Sequence, residues 1–228
     1  MPSGTDIQQI TALVPIKGAS ERVPGKNLRD FCGRPLLCRV LAVLQASCCT
    51  SRIVVNTDSE QVATLAANFA KVAIHERPAA LCGHDVPMNA VIEHDLRLLG
   101  QGHYLQTHVT NPMLTGETVE KAVRMYFSHL PQYDSLFSVI RHQSRFFDAE
   151  QRAMNHDPAV LVNTQDLSPV YEENSCMYLF SHASFFANGL NRIGRRFALH
   201  YMSKLESIDI DTEEDFLLAE LAWKAFRG

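Results

Sequence analysis

The sequence predicts an α/β protein with a doubly wound, mostly parallel sheet. Three observations lead to this fold class. Strand-like and helix-like apolar segments alternate through the first 140 residues of the 228-residue chain. Gly, Pro or an Asp, Ser or Thr cap marks each change of period. The alternation fails once, between residues 141 and 170, and then resumes. These features predict a single domain, residues 1–228, with one excursion.

The elements are predicted in the following order. The first part contains strands 10–16, 52–57, 71–76, 103–109 and 135–140, connected by helices 36–47, 59–70, 86–100 and 116–130. After the excursion, strands are predicted at 175–180, 200–203 and 207–211. The last helix, 212–226, opens with acidic residues, which suits the positive end of a helix dipole.

The excursion covers residues 141–170. It is polar, dotted with aromatic residues and interrupted by Asp157-Pro158 and Ser168-Pro169. A structureless loop of this length is uncommon inside a compact domain. The segment is therefore predicted to leave the main sheet, as an excursion or a hairpin, and to pack against something. A partner subunit is a candidate.

Composition narrows the classes of function. The chain is 46% hydrophobic and 20% charged, with a net charge of −4, so no general field attracts nucleic acid and any anion site must be local. Six cysteines show no CxxC pair, which favours a reducing cytoplasm. The first nine residues lack the pattern of a signal peptide, and no apolar run approaches the ~20 residues that cross a bilayer. We therefore expect a cytoplasmic protein with no membrane partner.

One loop carries the first chemical signal. In VPIKGASERVPGKN, residues 14–27, an apolar strand enters a loop with three basic residues and two glycines. Backbone N–H groups, glycines and lysines are what a phosphate site needs, and Lys17 and Lys26 would supply point charges. The pattern is neither GxxxxGK[ST] nor GxGxxG, so it predicts neither an ordinary P-loop nor a dinucleotide site. From these residues alone, a solvated basic loop remains an alternative.

An acidic pair carries the second signal. In a strand, Asp209 and Asp211 would project to the same side, ~6.6 to 6.8 Å apart, with Ile208 and Ile210 on the other face. Two carboxylates at the carboxyl end of a strand can hold Mg²⁺ together with waters and phosphates. The loop at 14–27 is expected at the same edge of the sheet. The alternative is a solvated helix start with Asp211 as its N-cap.

The ten histidines do not predict a metal centre. No pair shows the helical spacing of a zinc site backed by a carboxylate. The scattered histidines include His75, His84, His94, His103, His108 and His142.

Several motifs together carry a family resemblance. The stretch VPIKGASERVPGKNLRDFCGRPLL is close to I-P-A-R-x-G-S-x-x-x-P-x-K-N followed by G-x-P-L, and resembles the acylneuraminate cytidylyltransferases, the CMP-sialic acid synthetases. Lys17 and Ala19 depart from the family's arginine and glycine. Lysine keeps the charge but loses the bidentate fork. Further segments are similar in order, so the resemblance spans nearly the whole chain after residue 10: 54–63, 76–85, 105–114, 172–180 and 207–220.

The resemblance implies transfer of CMP from CTP to an acidic nine-carbon sugar, with Mg²⁺ as cofactor, in a homodimer formed through residues 141–170. The implied catalytic residues are Lys17, Lys26 and Asp211. The implied nucleotide ligands are Lys17, Ser20, Arg22, Lys26, Asn27, Arg77 and either Gln106 or His108. The implied sugar ligands are Tyr171, Glu173 and Asn174, and Mg²⁺ is assigned to Asp209 and Asp211.

Some alternatives stay open. Matching from the strand side favours Gln106 as the base reader, whereas matching from the proline side gives His108. Arg141 and Arg145 would be either carboxylate ligands or rim charges. The related synthetase for the eight-carbon sugar Kdo would require a Q-G-D-E-P run, where this chain has THVTNPM. A degenerate protein that binds nucleotide without turnover is a third hypothesis.

Overall fold

A mixed seven-stranded sheet forms the centre of the protein. The computed structural model describes residues 8–18, 22–83 and 85–227. Its strands are β1 (Ile10–Ile16), β2 (Asp30–Phe31), β3 (Arg34–Pro35), β4 (Thr50–Thr57), β5 (Val72–Glu76), β6 (His103–Thr107), β7 (Ser135–His142), β8 (Val170–Ser181) and β9 (Phe197–Met202). The sheet order is β5-β4-β1-β6-β8-β7-β9, and β2 and β3 form a separate hairpin.

Most neighbours in the sheet run parallel. Strands β5, β4, β1 and β6 are parallel to one another, and β9 is parallel to β7. Strand β8 is antiparallel to both β6 and β7. Apolar runs such as Leu13–Val14 and Val54–Val55 are fully buried, as expected for parallel strands covered on both faces. The predicted α/β class with a mostly parallel sheet is therefore confirmed, and the antiparallel direction of β8 is a feature that the sequence did not predict.

Helices cover both faces of the sheet. They are α1 (Leu36–Ala46), α2 (Glu60–Ala66), α3 (Met88–Leu99), α4 (Gly116–His129), α5 (His182–Ala187) and α6 (Glu213–Phe226). Helices α1, α2 and α4 contribute Leu41, Val62 and Val123 to one core cluster. Helices α3 and α5 contribute Leu96 and Phe185 to a second cluster. The fold is therefore doubly wound, as predicted.

A third, smaller cluster fastens the end of the chain to its beginning. Phe216 of α6 packs edge-on against Phe31 of β2, with ring centroids 5.7 Å apart. Ile210, which is fully buried, belongs to the same cluster. The contact holds the segment before α6 beside the loop that follows β1.

The prediction of a strand at 207–211 is wrong. This segment forms no regular strand, because it lies beside the loop that follows β6 and finds no ladder partner there. The backbone N–H of Ile210 donates to the carbonyl of Thr110 over 2.9 Å. Asp209 and Ile208 are both half-buried, so the expected alternation of a polar and an apolar face does not hold. Asp211 nevertheless stays near enough to Asp209 for its charge to add to the rise in the pKa of Asp209 that burial causes.

Residues 143–169 leave the sheet as a long connection between β7 and β8. They contain a short 3₁₀ turn, Thr164–Asp166, and an isolated bridge between Phe147 and Ala153. Large apolar side chains are exposed here, and Leu161 is 91% exposed. In the part of the chain that the structure describes, no helix has the length and apolar character needed to span a membrane.

Candidate active site

The site lies at one edge of the sheet. Lys17, Asp58, Arg77 and His108 each follow directly after a parallel strand, namely β1, β4, β5 and β6. Because these strands are parallel, their carboxyl ends meet at the same edge. The chain also reverses its winding direction between β1 and β6. Ligands of open α/β sheets bind outside the carboxyl ends of the strands at such a point.

The basic loop and the acidic segment meet at this edge. Lys26 is only 8% exposed, and its ammonium group donates to the carbonyl of Ile210 and lies 3.7 Å from Oδ1 of Asp211. The guanidinium of Arg22 approaches the same carboxylate oxygen to 2.9 Å. Two cations from the loop therefore converge on one acidic side chain from the other end of the chain.

Asp209 completes an acidic pair that fits a hard cation. Its Oδ1 is buried and has no hydrogen-bond partner among the described residues. Burial raises the pKa of this carboxyl, a hydrogen bond from Thr110 opposes the rise, and the charge of Asp211 adds to it. Within the described ranges, no group of three or more His, Cys, Asp and Glu side chains is placed to hold a metal. Two carboxylates fit Mg²⁺ when substrate phosphates and waters complete the coordination.

The loop after β1 is shaped by close contacts. The N–H of Gly18 donates to Oδ1 of Asp58 over 2.7 Å. A Cβ at Gly18 would lie 2.8 Å from Cβ of Ser59, so a glycine is needed for the loop to approach the end of β4. Gly25 has a φ of +66°, in the left-handed region that favours glycine. Gly18 thus allows the loop to approach β4, and Gly25 allows its left-handed turn.

Asn27 and Lys17 lie together in this loop. The amide nitrogen of Asn27 donates to the carbonyl of Lys17 over 3.0 Å. The amide oxygen of Asn27 is buried without a partner among the described residues. The ammonium group of Lys17 donates to the carbonyl of Gly83 over 3.3 Å. The predicted ligand Ser20, like Ala19, lies outside the described residues.

Arg77 is buried in a polar network at the end of β5. Its Nε donates to Oδ1 of Asn56 over 2.7 Å, and a terminal nitrogen donates to the carbonyl of Asn56 over 2.9 Å. The amide nitrogen of Asn56 donates to Oδ1 of Asp95, 2.8 Å away, which also lies 2.8 Å from Nδ1 of His75. Arg77 is thus held in one orientation by side chains that sequence reasoning did not single out.

Gln106 and His108, predicted as alternatives, are in contact. The amide nitrogen of Gln106 lies 2.9 Å from Nε2 of His108. Burial, reinforced by the positive charges of Arg192 and Lys26, lowers the pKa of His108 to about 4. The neutral ring therefore accepts this hydrogen bond at Nε2. The amide oxygen of Gln106 accepts from Arg192 over 2.5 Å, so both ends of this fully buried amide are used within the protein.

The predicted sugar ligands occupy different environments. Asn174 is buried, with its amide held by Ser138 and Ser207. Glu173 accepts a hydrogen bond from the hydroxyl of Tyr178. These contacts occupy polar atoms of both residues, and their roles as ligands stay predictions.

Tyr171 stands apart from the other predicted sugar ligands. Its exposed ring stacks on Tyr201, with centroids 5.4 Å apart. Strand β8 bulges between Tyr178 and Glu173, so Tyr171 pairs with Arg141 of β7, four residues beyond Phe137, the partner of Tyr178. At the rise of an extended strand, Tyr171 lies ~13 Å along the sheet beyond the level of Gln106, which also pairs with Tyr178. No contact joins Tyr171 to Lys26 or Asp211 among the described residues.

Arg141 and Arg145 also lie at the excursion. Arg141 is an exposed residue of β7 that pairs with Tyr171 of β8. Arg145 donates to the carbonyl of Val162 over 2.5 Å and so holds the excursion loop.

Sequence reasoning missed four residues of this edge: Asn56, Asp58, Asp95 and Arg192. Asp58 had a usable signal, because it follows a strand directly in VVNTDSE. The other three had none, since their importance comes from contacts with residues distant in the sequence.

The sheet topology brings a basic loop after the first strand together with an acidic segment before the last helix. Comparison with known proteins gives the family. A family model described as cytidylyltransferase matches residues 11–221, and the chain belongs to this cytidylyltransferase family.

Two relatives and one solved structure illustrate the similarity. The chain is 28% identical over 228 residues to N-acylneuraminate cytidylyltransferase A of Danio rerio, with 96% of this chain and 52% of that protein covered. It is also 28% identical over 225 residues to CMP-N,N'-diacetyllegionaminic acid synthase of Legionella pneumophila, with 93% and 95% covered. The chain thus spans about half the length of the first relative and nearly all of the second. The structure of a CMP:2-keto-3-deoxy-manno-octonic acid synthetase complexed with CTP has a TM-score of 0.70 at 14% identity, covering 96% and 99%, and shows a shared fold.

Proposed function

We propose that the chain transfers CMP from CTP to the anomeric hydroxyl of a nonulosonic, sialic-acid-like sugar and releases pyrophosphate. The convergence of Arg22 and Lys26 on Asp211, beside the unpartnered oxygen of Asp209, is the observation that carries this proposal. It supplies cations for a triphosphate and carboxylates for a metal at one point. The names of the relatives point to the class of acceptor.

The reaction needs positioning and charge neutralisation. The hydroxyl oxygen forms a bond to the α-phosphorus, the bond to the bridging oxygen of the pyrophosphate breaks, and the hydroxyl proton is released to solvent. Such displacements ask for little covalent chemistry from the protein. Lys17 and Lys26 would neutralise phosphate charge, while Asn27 and Arg77 would contact the nucleoside from the side of β1 and β5.

Asp209 and Asp211 are the residues that would hold Mg²⁺. The bound ion would supply positive charge to the phosphate oxygens. In the free chain, Arg22 and Lys26 neutralise Asp211. We expect both cations to exchange that carboxylate for phosphate oxygens when CTP binds, because phosphate carries more negative charge at the same place.

The active form would be a homodimer. The connection between β7 and β8 exposes Phe147, Met154 and Leu161, with exposed fractions of 55%, 60% and 91%. An exposed apolar surface of this kind is typical of an interaction site. Tyr171 lies at the base of this segment, so in a dimer it would serve the site of the partner subunit.

Release of pyrophosphate from CTP tests the proposal. The assay would use N-acetylneuraminic acid, N,N'-diacetyllegionaminic acid, pseudaminic acid and Kdo, each with and without Mg²⁺. We expect Mg²⁺-dependent release with at least one nonulosonic acid and a loss of more than about 100-fold in Asp211→Asn. Glu214→Gln, an exposed neighbour in the first turn of α6, is the matched control and should keep full activity.

Two results would contradict the proposal. Turnover with Kdo alone would identify the eight-carbon synthetase. CTP-induced thermal stabilisation without turnover of any acid would identify a protein that binds nucleotide only, since binding to the folded state stabilises it whether or not chemistry follows.

A further inference from the structure

Arg192 lies in a fixed position beside the site. The proposed mechanism gives this residue no role. Arg192 lies in the connection between α5 and β9, and its guanidinium donates to the amide oxygen of Gln106 over 2.5 Å. The guanidinium carbon also lies 3.6 Å from the centroid of the Tyr178 ring. Gln106 and Tyr178 are both fully buried, on the adjacent strands β6 and β8. The guanidinium of Arg192 therefore packs on two fully buried side chains that hold its position.

This cation has no carboxylate partner among the residues that the structure describes. Within residues 8–18, 22–83 and 85–227, no carboxylate oxygen lies within the 4.0 Å of an ion pair from Arg192, whereas Arg22, Arg29 and Arg97 each have one. Burial lowers the pKa of Arg192, and Tyr178 and the charge of nearby Glu173 oppose this, but the Glu173 carboxylate accepts from the hydroxyl of Tyr178 and forms no ion pair with Arg192. A guanidinium has five N–H donors, and a half-buried one gains most from an anion that accepts two of them. The remaining N–H donors of Arg192 suit a ligand carboxylate.

Arg192 also lies on the acceptor side of the edge. Neighbouring strands are ~4.8 Å apart, so the four steps from β5 to β8 span ~19 Å. Arg77 follows β5 at one end of this span, and Arg192 lies over β8 at the other. His108 lies between them, near enough to Arg192, Lys26 and Asp211 to be affected by all three charges. Asn27 and Arg77, the proposed nucleoside ligands on the side of β1 and β5, and Arg192 over β8 thus lie on opposite sides of His108.

We propose that Arg192 binds the carboxylate of the acceptor sugar and selects an acidic acceptor, with Gln106 and Tyr178 as the residues that position it. The proposal rests on the proposed function. In an α-keto acid sugar the carboxylate is attached to the anomeric carbon. A guanidinium that holds this carboxylate therefore also orients the hydroxyl that attacks CTP. A planar fork does this better than an ammonium group, because it fixes both oxygens.

The test compares an acid with its methyl ester. Each nonulosonic acid that the wild type uses would be assayed beside its ester, with wild type, Arg192→Gln, Arg192→Lys and the control Arg195→Gln. Arg195 is an exposed residue of the same connection. We expect the wild type to prefer the acid about 30-fold in kcat/KM, as for a charge-assisted bidentate contact. Arg192→Gln should reduce this preference to about 3-fold or less, Arg192→Lys should be intermediate, and Arg195→Gln should match the wild type.

The ratio of kcat/KM for the acid to kcat/KM for the ester shows whether Arg192 binds the sugar carboxylate or only supports the structure of the site. A variant that merely loosens the site loses activity with acid and ester alike and keeps their ratio, and that result would overturn the inference. A KM for CTP that rises as much as the KM for the sugar would also overturn it, because it would place Arg192 in the nucleotide site. If Arg192→Gln does not fold, the ratio in Arg192→Lys decides. Failure of the wild type to use any acid would instead reject the proposed function, and the inference with it.

Discussion

The Nε of Arg77 lies 2.7 Å from Oδ1 of Asn56, and this contact makes Asn56 the bridge between a buried cation and a buried anion. The same amide donates to Oδ1 of Asp95 over 2.8 Å. Asp95 is 1% exposed and Arg77 is 4% exposed. A single neutral side chain thus supports both charges at the carboxyl edge of the sheet.

Removing this bridge should cost stability and CTP affinity together. We expect Asn56→Ala to lower the free energy of unfolding by about 2 to 3 kcal/mol, because both charged groups lose a buried partner. The KM for CTP should rise as Arg77 loses its orientation. Urea unfolding and steady-state kinetics would measure the two effects. Asn68→Ala is the control, since Asn68 is exposed and its amide donates to the backbone of the preceding helical turn. A stability loss no larger than in this control would contradict the prediction.

His108 should make the protein sensitive to mild acid. Its pKa is lowered to about 4 in the folded protein, whereas an unfolded histidine has a pKa of ~6.5. Between these values the unfolded state binds more protons, so stability falls as pH falls through this window and changes no further below it. The wild type should therefore lose about 1 kcal/mol between pH 7 and pH 5.5 that His108→Asn does not lose. Thermal or urea unfolding of both proteins at several pH values measures this, and a difference that is independent of pH would refute it.

Thr212 and Asp215 form a cap at the start of α6 that also holds the backbone of Asp211. The Asp215 carboxylate accepts from the backbone N–H groups of Thr212 and Asp211 over 2.8 and 3.1 Å, and the Thr212 hydroxyl accepts from the N–H of Asp215. This is a capping box. We expect Thr212→Ala to lower the free energy of unfolding by about 1 kcal/mol with a small change in kcat. Denaturant unfolding would measure it, with Glu214→Gln as a control that should change stability by less than about 0.5 kcal/mol.

The exposed apolar segment should control assembly. We expect Leu161→Asp to convert a dimer to a monomer, because a charge would have to be buried in the interface. Analytical ultracentrifugation at micromolar concentration would show this. Leu98→Asp, at an exposed position of α3, should leave the dimer intact. A wild type that is monomeric under these conditions would reject the homodimer.

Local patterns were sufficient to predict most of the fold. The apolar run of β1 and the periodic segments of α1 and α4 are signals within one window, and the structure has them close to the predicted bounds. The direction of β8 could not be predicted in this way, because periodicity reports which residues are buried and not which strand lies alongside. Helix α5 was missed because six residues are too few for a helical period, although Ser181 caps it.

Local patterns likewise predict some residues of the candidate site and not others. Lys26 and Asp211 lie in local motifs, so the sequence predicts their chemical roles although it does not show that they are in contact. Arg192 and Gln106 are 86 positions apart, and Asn56 and Asp95 are 39 apart. No local pattern encodes such pairs, and only the packed sheet brings them together.

The bond from Lys26 to the carbonyl of Ile210 joins positions 184 residues apart. The sheet can pair β1 with β4 and β6 long before residue 210 is made, whereas the pocket cannot close until then. During biosynthesis, the site therefore cannot be complete until the segment around Ile210 has been made. A nascent chain released before residue 210 would lack both Asp211 and the carbonyl that holds Lys26, and so would have no complete site.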